Sequence, residues 1–513
     1  MGQRIINGKL PHFRPVRKRS NYYRVMLLLS LILTGIWVLL SYERGQIKPA
    51  FHPTPTPTRL AESYILEAQA YFAAGRLDDP SNNFVRTPLP PGEVLPSPTP
   101  EDPDATPVPP TPIPEVNDAL EAYQKALEIE PENAQAWAEL ARIRAYSSQM
   151  LSNDTLRLER LKEALEAATR AVELAPDDSM VHAIRAFVLD WYAFNPLVSP
   201  EENELLLGEA NNEALRAYQL DPNNALALAY YAEILADQQK WVQAEQYARQ
   251  AVERDPNSMD THRVLGYVFE TIGAYNSAIE QYRAAAAINP NLTFLYIRIG
   301  RNYREGIQNP ELALEYFDRA AKINEQLGVQ NPVPYIEIAR TYTQEGQFFA
   351  AAVNAQKALS LDQSTAATYA QLGSIFIRAR NYEGAVPLLR CAIIGCTAEE
   401  NEAALEAVGM NLDGVPVAPL ELSNKTVGYY YIDYGNVLAF LSRPNQNYCV
   451  EGPDGTPNAL EILDRVRQKY SDDSIMMSII EDSEGICRRL ASGGRASGTA
   501  TPTAEAESSA PDM

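Results

Sequence analysis

The sequence predicts an all-α chain, an α-solenoid of about nine stacked helix pairs preceded by one long apolar helix. Two observations carry this reading. Segments that close a helix recur as "YQKALEIEPEN" from Tyr123, "ATRAVELAPDD" from Ala168, "ALRAYQLDPNN" from Ala214, "ARQAVERDPNS" from Ala248 and "YRAAAAINPNL" from Tyr282, each with alanine in its fourth place. Later copies from Phe317, Ala355 and Leu389 keep that alanine and lose the proline. A second alanine stands seven residues before each of these, at Ala119, Ala164, Ala210, Ala244, Ala278, Ala313, Ala351 and Ala385. Seven residues are two helical turns, so both alanines share one face.

Alanine is the best helix former but buries little apolar surface, so a stripe of it serves the close approach of a second helix. A bulky residue in the stripe should cost about 1 to 3 kcal/mol through overpacking.

From the N-terminus, residues 1–24 carry seven basic and no acidic residues. Residues 25–42, "VMLLLSLILTGIWVLLSY", are uncharged and predict a transmembrane helix about 27 Å long at roughly 1.5 Å per residue. The basic flank places the N-terminus in the cytoplasm and all that follows on the outer side of the cell membrane. A cleaved signal peptide is the alternative, against which stand the length of the run and the absence of a small-x-small site in "SYERGQ". Residues 43–58 form a Pro/Thr-rich, extended linker.

Upstream of each alanine stripe lies a shorter helix with a large residue, an apolar one, then Gly or Ala. Examples are "HRVLGYVF" from His262, "YIRIGRNY" from Tyr296, "YIEIARTY" from Tyr335 and "YAQLGSIF" from Tyr369. Pro222, Pro256 and Pro290 repeat every 34 residues. These slots and this period resemble the tetratricopeptide repeat family. The resemblance implies antiparallel helix pairs stacked into a right-handed superhelix over residues 59–397.

Departures from the period locate insertions. The repeats ending at Pro176 and Pro222 are longer by 11 and 12 residues, expected in turns near Tyr146 to Thr155 and Ala193 to Ser199. The first repeat is split by a Pro-rich insertion at residues 78–114. Residues 398–490 read as an irregular ninth repeat with an amphipathic cap, and residues 491–513 as a disordered tail. Cys391, Cys396, Cys449 and Cys487 are candidates for two disulfides, with three possible pairings.

No phosphate loop, zinc-binding helix or nucleophile elbow is present, so neither an enzyme, a cofactor nor a metal is expected. A net charge of -22 disfavours nonspecific nucleic-acid binding. Function is therefore expected to be protein binding by a membrane-anchored scaffold. The alternatives are a cytoplasm-facing regulatory adaptor, or an enzymatic or ligand-binding C-terminal region.

In the family resembled, first helices line a concave groove that holds peptides or partner helices. Helical spacing selects Tyr230, Glu233, Arg263, Tyr267, Ile297, Arg301, Arg304, Ile336 and Arg340 to face it. Arg and Tyr in that number suit an acidic peptide or free C-terminus. The competing reading is that these arginines pair with the chain's own Glu233, Glu270, Glu305 and Glu337.

Overall fold

The computed structural model describes residues 22–43, 59–78, 118–151 and 154–491, excluding the side chains of residues 35, 36 and 38–43. The basic N-terminus, the Pro/Thr linker, nearly all of the Pro-rich insertion and the tail lie outside the described residues. The chain divides into two compact units, residues 1–59 and 60–513.

The first unit holds one helix, α1 (Tyr22–Glu43), whose described side chains are exposed. Among the described residues no helix is long and apolar enough to cross a membrane. The transmembrane reading of residues 25–42 is therefore not carried by the structure.

The second unit is helical throughout, with two isolated bridges and no strand among the described residues. Its helices pack as antiparallel pairs. Pair 1 is α2 (Ala61–Ala73) with α3 (Ala119–Ile129), pair 2 is α4 (Ala134–Ser148) with α5 (Asp154–Leu174), and pair 3 is α6 (Ser179–Ala193) with α7 (Pro200–Leu220). Pair 4 is α8 (Ala225–Asp237) with α9 (Trp241–Arg254), pair 5 is α10 (Met259–Thr271) with α11 (Tyr275–Ile288), and pair 6 is α12 (Thr293–Arg301) with α13 (Pro310–Leu327). Pair 7 is α14 (Val333–Gln344) with α15 (Phe348–Leu361), and pair 8 is α16 (Ala366–Arg378) with α17 (Tyr382–Ile394). The short α18 (Ala398–Glu406) precedes pair 9, α19 (Lys425–Leu441) with α20 (Ala459–Lys469), and α21 (Ser474–Ala491) packs on both helices of that pair.

The alanine stripe is the contact surface of this stack. All sixteen of its alanines, from Ala119 to Ala392, are at most 1% exposed. In the four-alanine run Ala285 and Ala286 are buried, while Ala287 faces water. Where the small slot of a first helix is glycine, it receives a large side chain from its own second helix. A Cβ on Gly266 would lie 3.0 Å from the Tyr282 ring and one on Gly373 would lie 2.6 Å from Leu389; on Gly300 it would overlap the Phe317 ring.

The recurring proline has a second role. In four of its five copies, all but Pro222, its carbonyl accepts a hydrogen bond from the polar tip of the side chain six residues on, in the next first helix. Trp137 donates to Pro131 at 2.9 Å, His182 to Pro176 at 2.9 Å, His262 to Pro256 at 3.0 Å and Tyr296 to Pro290 at 2.7 Å. The large slot thus closes off a carbonyl at the end of the previous pair that would otherwise lack a helical partner. Pair 7 has no such proline, and there Tyr335 donates instead to Glu325 at 2.6 Å.

Two expectations about insertions resolve differently. In pair 1 the chain leaves and re-enters at one place: the backbone N–H groups of Ala119 and Leu120 donate to the carbonyls of Arg76 and Leu77 at 3.0 and 3.1 Å. In pairs 2 and 3 the extra residues are mostly helix rather than turn. Their second helices have 21 residues against 14 in pairs 4 and 5, and their first helices 15 against 13. Seven extra residues are two turns, which preserve the facing side and so leave the stripe in register.

The stack curls until its early and late pairs meet. Asn291, before α12, donates to the carbonyl of Ala74, after α2, at 3.1 Å. Gly75 sits there at φ 78°, where a side chain would be strained and would also strike the Asn291 backbone. Tyr146 of α4 stacks on Phe294 of α12 with ring centroids 5.3 Å apart and planes 9° apart. At the other end Cys391 pairs with Cys396 and Cys449 with Cys487, at Cα separations of 4.9 and 5.6 Å. The second pairing ties α21 to the link between α19 and α20.

Gly300→Ala must displace the Phe317 ring and is expected to cost about 1 to 3 kcal/mol by overpacking. Ala287→Leu, on the water side of the same stack, should change stability by less than about 0.5 kcal/mol. Urea titrations of the two variants check this; equal losses would show that the small slots do not set the packing distance.

Candidate functional site

The residues expected to line a groove fall on the inner side of the first helices, but most are not available there. Tyr230, Glu233, Arg263, Ile297 and Arg304 are buried. Tyr267 and Ile336 are half-buried, and the side chains of Arg301 and Arg340 are 35% and 47% exposed.

The buried polar groups of this set find their main partners on a neighbouring first helix in the stack. Arg263 of α10 makes a two-pronged pair with Glu233 of α8 at 2.7 and 2.6 Å, and the same carboxylate accepts from the Trp191 indole of α6 at 3.1 Å. The Arg263 guanidinium also lies 5.4 Å from the Phe187 and Trp191 ring centroids. Asp260, one turn earlier on α10, accepts from the Tyr230 hydroxyl at 2.8 Å, from the Tyr146 hydroxyl, and from Arg142 at 2.8 Å. Tyr146 and Arg142 belong to α4, three pairs away, so these contacts cross the axis of the stack.

Beside them Asp190 of α6 and Asp237 of α8 face each other. Burial, with Glu233 nearby, pushes the Asp237 carboxyl up to about 6, even though the Tyr267 hydroxyl donates to it. Burial and the Asp237 charge also push the Asp190 carboxyl well above its ordinary value.

Farther along, Glu337 of α14 is the hub of three arginines. Arg301 donates to its Oε1 at 2.7 and 3.1 Å, Arg304 lies 2.7 Å from its Oε2, and Arg340 approaches Oε1 at 3.4 Å. Arg304 reaches it from a π-helical turn, Asn302–Gly306, that extends α12, and also pairs with Glu305 at 2.6 Å. Arg298 pairs with Glu270 at 3.1 Å. The arginines therefore take the four glutamates Glu233, Glu270, Glu305 and Glu337 as partners, and the expected acidic-peptide groove is in large part occupied by the chain's own carboxylates.

A cleft of about 40 Å³ lies among Trp191, Arg263, Tyr267, Phe294, Arg298 and Arg301, enough for a few waters. Arg142, Tyr146, Phe187 and Trp191 were absent from the sequence-selected set. They share its helical offsets: Tyr267, Arg301 and Arg340 each follow a small slot by one residue, as Arg142 follows Ala141 and Phe187 follows Ala186, with Tyr146 and Trp191 one turn on. No metal-binding cluster of His, Cys, Asp and Glu occurs among the described residues.

Comparison with known families bears on the middle of this array. The family model for the tetratricopeptide repeat matches residues 208–258 and 238–293. These segments are tetratricopeptide repeats. They include pairs 4 and 5, whose buried ladder is described above. Among solved structures, yeast Tom70 is 16% identical, over 77% of this chain and 74% of its own, at a TM-score of 0.39. A thermophilic tetratricopeptide repeat protein of Thermus thermophilus is 20% identical over 36% of this chain and 88% of its own, at 0.29. One from Parabacteroides merdae is 17% identical over 50% and 91%, at 0.33.

The hub carboxylate carries a pH prediction. Burial alone would raise Glu337, but Arg301, Arg340 and Arg304 together hold its carboxyl well below the usual carboxylate range. Its stabilising contribution is complete above the ordinary value of 4.5 and is lost as pH falls from there toward the depressed one. Glu337→Gln should cost about 3 kcal/mol at pH 7, the scale for breaking one side of a buried ion pair. Melting curves of wild type and variant should converge as pH is lowered from 4.5; a constant gap would mean that the hub does not titrate as described.

Proposed function

We propose that this chain is a membrane-tethered scaffold that holds partner proteins against the inner face of its helix stack, by binding and not by catalysis. The observation that carries the reading is the half-open part of the arginine hub. Arg301 and Arg340 are aimed by the buried Glu337, yet a third to a half of each side chain remains open to water. Guanidinium groups held in one orientation lose little freedom on meeting a carboxylate, so an acidic peptide segment is the ligand class.

The tether in this reading is the run of residues 25–42, which carries no charge and follows a flank with seven basic and no acidic residues. That flank assigns the N-terminus to the cytoplasm and the repeats to the extracytoplasmic side of the cell membrane. Two disulfides, Cys391–Cys396 and Cys449–Cys487, suit that oxidising side.

Because Arg301 and Arg304 hold a buried carboxylate, replacing them would disturb folding, and Arg340→Ala is the informative variant. Its affinity for a peptide of consecutive glutamates, followed by fluorescence anisotropy, should fall about tenfold, the effect of one charge-assisted hydrogen bond, with helicity unchanged and Tm lowered only modestly because Arg301 and Arg304 still hold Glu337. Equal binding would remove this face as the docking site. In intact cells, an impermeant thiol reagent should label Cys449 only after reduction; labelling confined to permeabilised cells would reverse the topology.

A further inference from the structure

The small cleft on the inner face has donors to spare and no charged acceptor of its own. Arg263, Arg298 and Arg301 line it, and no aspartate or glutamate does. The carboxylates that partner these arginines, Glu233, Glu270 and Glu337, stand outside the lining, each already taken by two or three donor residues.

Several donors on the lining residues lack an acceptor. Among the described residues no hydrogen bond uses Nη1 of Arg301, or Nε and Nη2 of Arg298, whose remaining nitrogens hold Glu337 and Glu270. The side-chain amides of Gln149, after α4, and Asn331, before α14, donate to nothing in the chain, nor does the Thr293 hydroxyl at the start of α12. The backbone N–H groups of Thr293 and Phe294 have no carbonyl partner either, and the residue before them, Leu292, has no side chain able to cap them. The polar tips of the aromatic members are engaged elsewhere: Trp191 donates to Glu233, Tyr282 to Glu270 and Tyr267 to Asp237, so their rings serve as apolar walls.

Such a lining calls for an occupant that accepts hydrogen bonds, carries negative charge and is small. A volume of about 40 Å³ has room for about three water-sized atoms, the heavy-atom count of a carboxylate group, which also meets a guanidinium in two-pronged fashion. Arg298 and Arg301 keep 34% and 35% of their side chains open to water, which gives the group a way in.

We propose that this cleft is a binding site for a single carboxylate group. Its source is either a free acid of formate size or the side chain of an acidic segment docked on Arg301 and Arg340. The site does not depend on that docking, because its donors lack acceptors with or without a partner on the face.

Removing Arg301 would also release Glu337, so the test is made on Gln149 and Thr293 in the full chain. Sodium formate should raise the Tm of the wild-type protein in proportion to the logarithm of its concentration, as a ligand of the folded state does. Formamide, its neutral counterpart, and sodium chloride at equal ionic strength should not. Thr293→Val should weaken the formate Kd drawn from those shifts about tenfold, the consequence of one lost hydrogen bond to a charged group. Gln149→Glu, which sets the chain's own carboxylate among the donors, should abolish the formate response with helicity retained. A response matched by chloride, or one unchanged in both variants, would overturn the proposal. Competition separates the two sources: formate that displaces the polyglutamate peptide assigns the cleft to a docked side chain, and formate that binds alongside it assigns a free acid. A peptide that fails to bind while formate still does would remove the docking face and leave the carboxylate site standing.

Discussion

How near one helix can come to the next when only a methyl group stands between them governs the rest of this molecule. The second helices of pairs 1 to 8 each present two buried alanines a double turn apart, and where the first helix carries Gly in its small slot its partner's Tyr, Phe or Leu comes in. The period of the repeat, the tolerance for longer second helices and the curl of the stack all follow from keeping those contacts aligned. The added turns of pairs 2 and 3 all precede the first alanine of the stripe and leave its seven-residue spacing intact.

The tight curl has an electrostatic consequence. A strongly acidic chain places much of its arginine on the inside of the curve, where burial makes an unpaired charge costly and a paired one directional. Arg263 with Glu233, and three arginines about Glu337, are the result. These pairs couple consecutive first helices, so the inner face is as much a part of the fold as the alanine seam. Around Glu337, where three arginines share one carboxylate, Arg301 and Arg340 keep an open side.

The pairing of helices was legible because it is local: alanines seven apart and prolines 34 apart are read from a window shorter than two repeats. The occupied inner face was not. Whether Arg263 faces water or Glu233 depends on how sharply the stack bends, and Arg142 meets Asp260 across 118 residues of chain. A mean period carries no curvature, so the offsets that chose Arg301 and Arg340 also chose Tyr230 and Arg304, which lie buried. The position of the extra residues in pairs 2 and 3 was misread for a related reason: length alone does not separate a long turn from an extended helix.

The hydrogen bonds that join Arg76 to Ala119 and Leu77 to Leu120 make the first hairpin whole regardless of what is strung between them. The cost of closing such a loop rises only with the logarithm of its length, by about 0.6 kcal/mol per doubling. Evolution, or a protein engineer, can thus treat that junction as a socket, trading the cargo it carries for another without retuning the helices on either side.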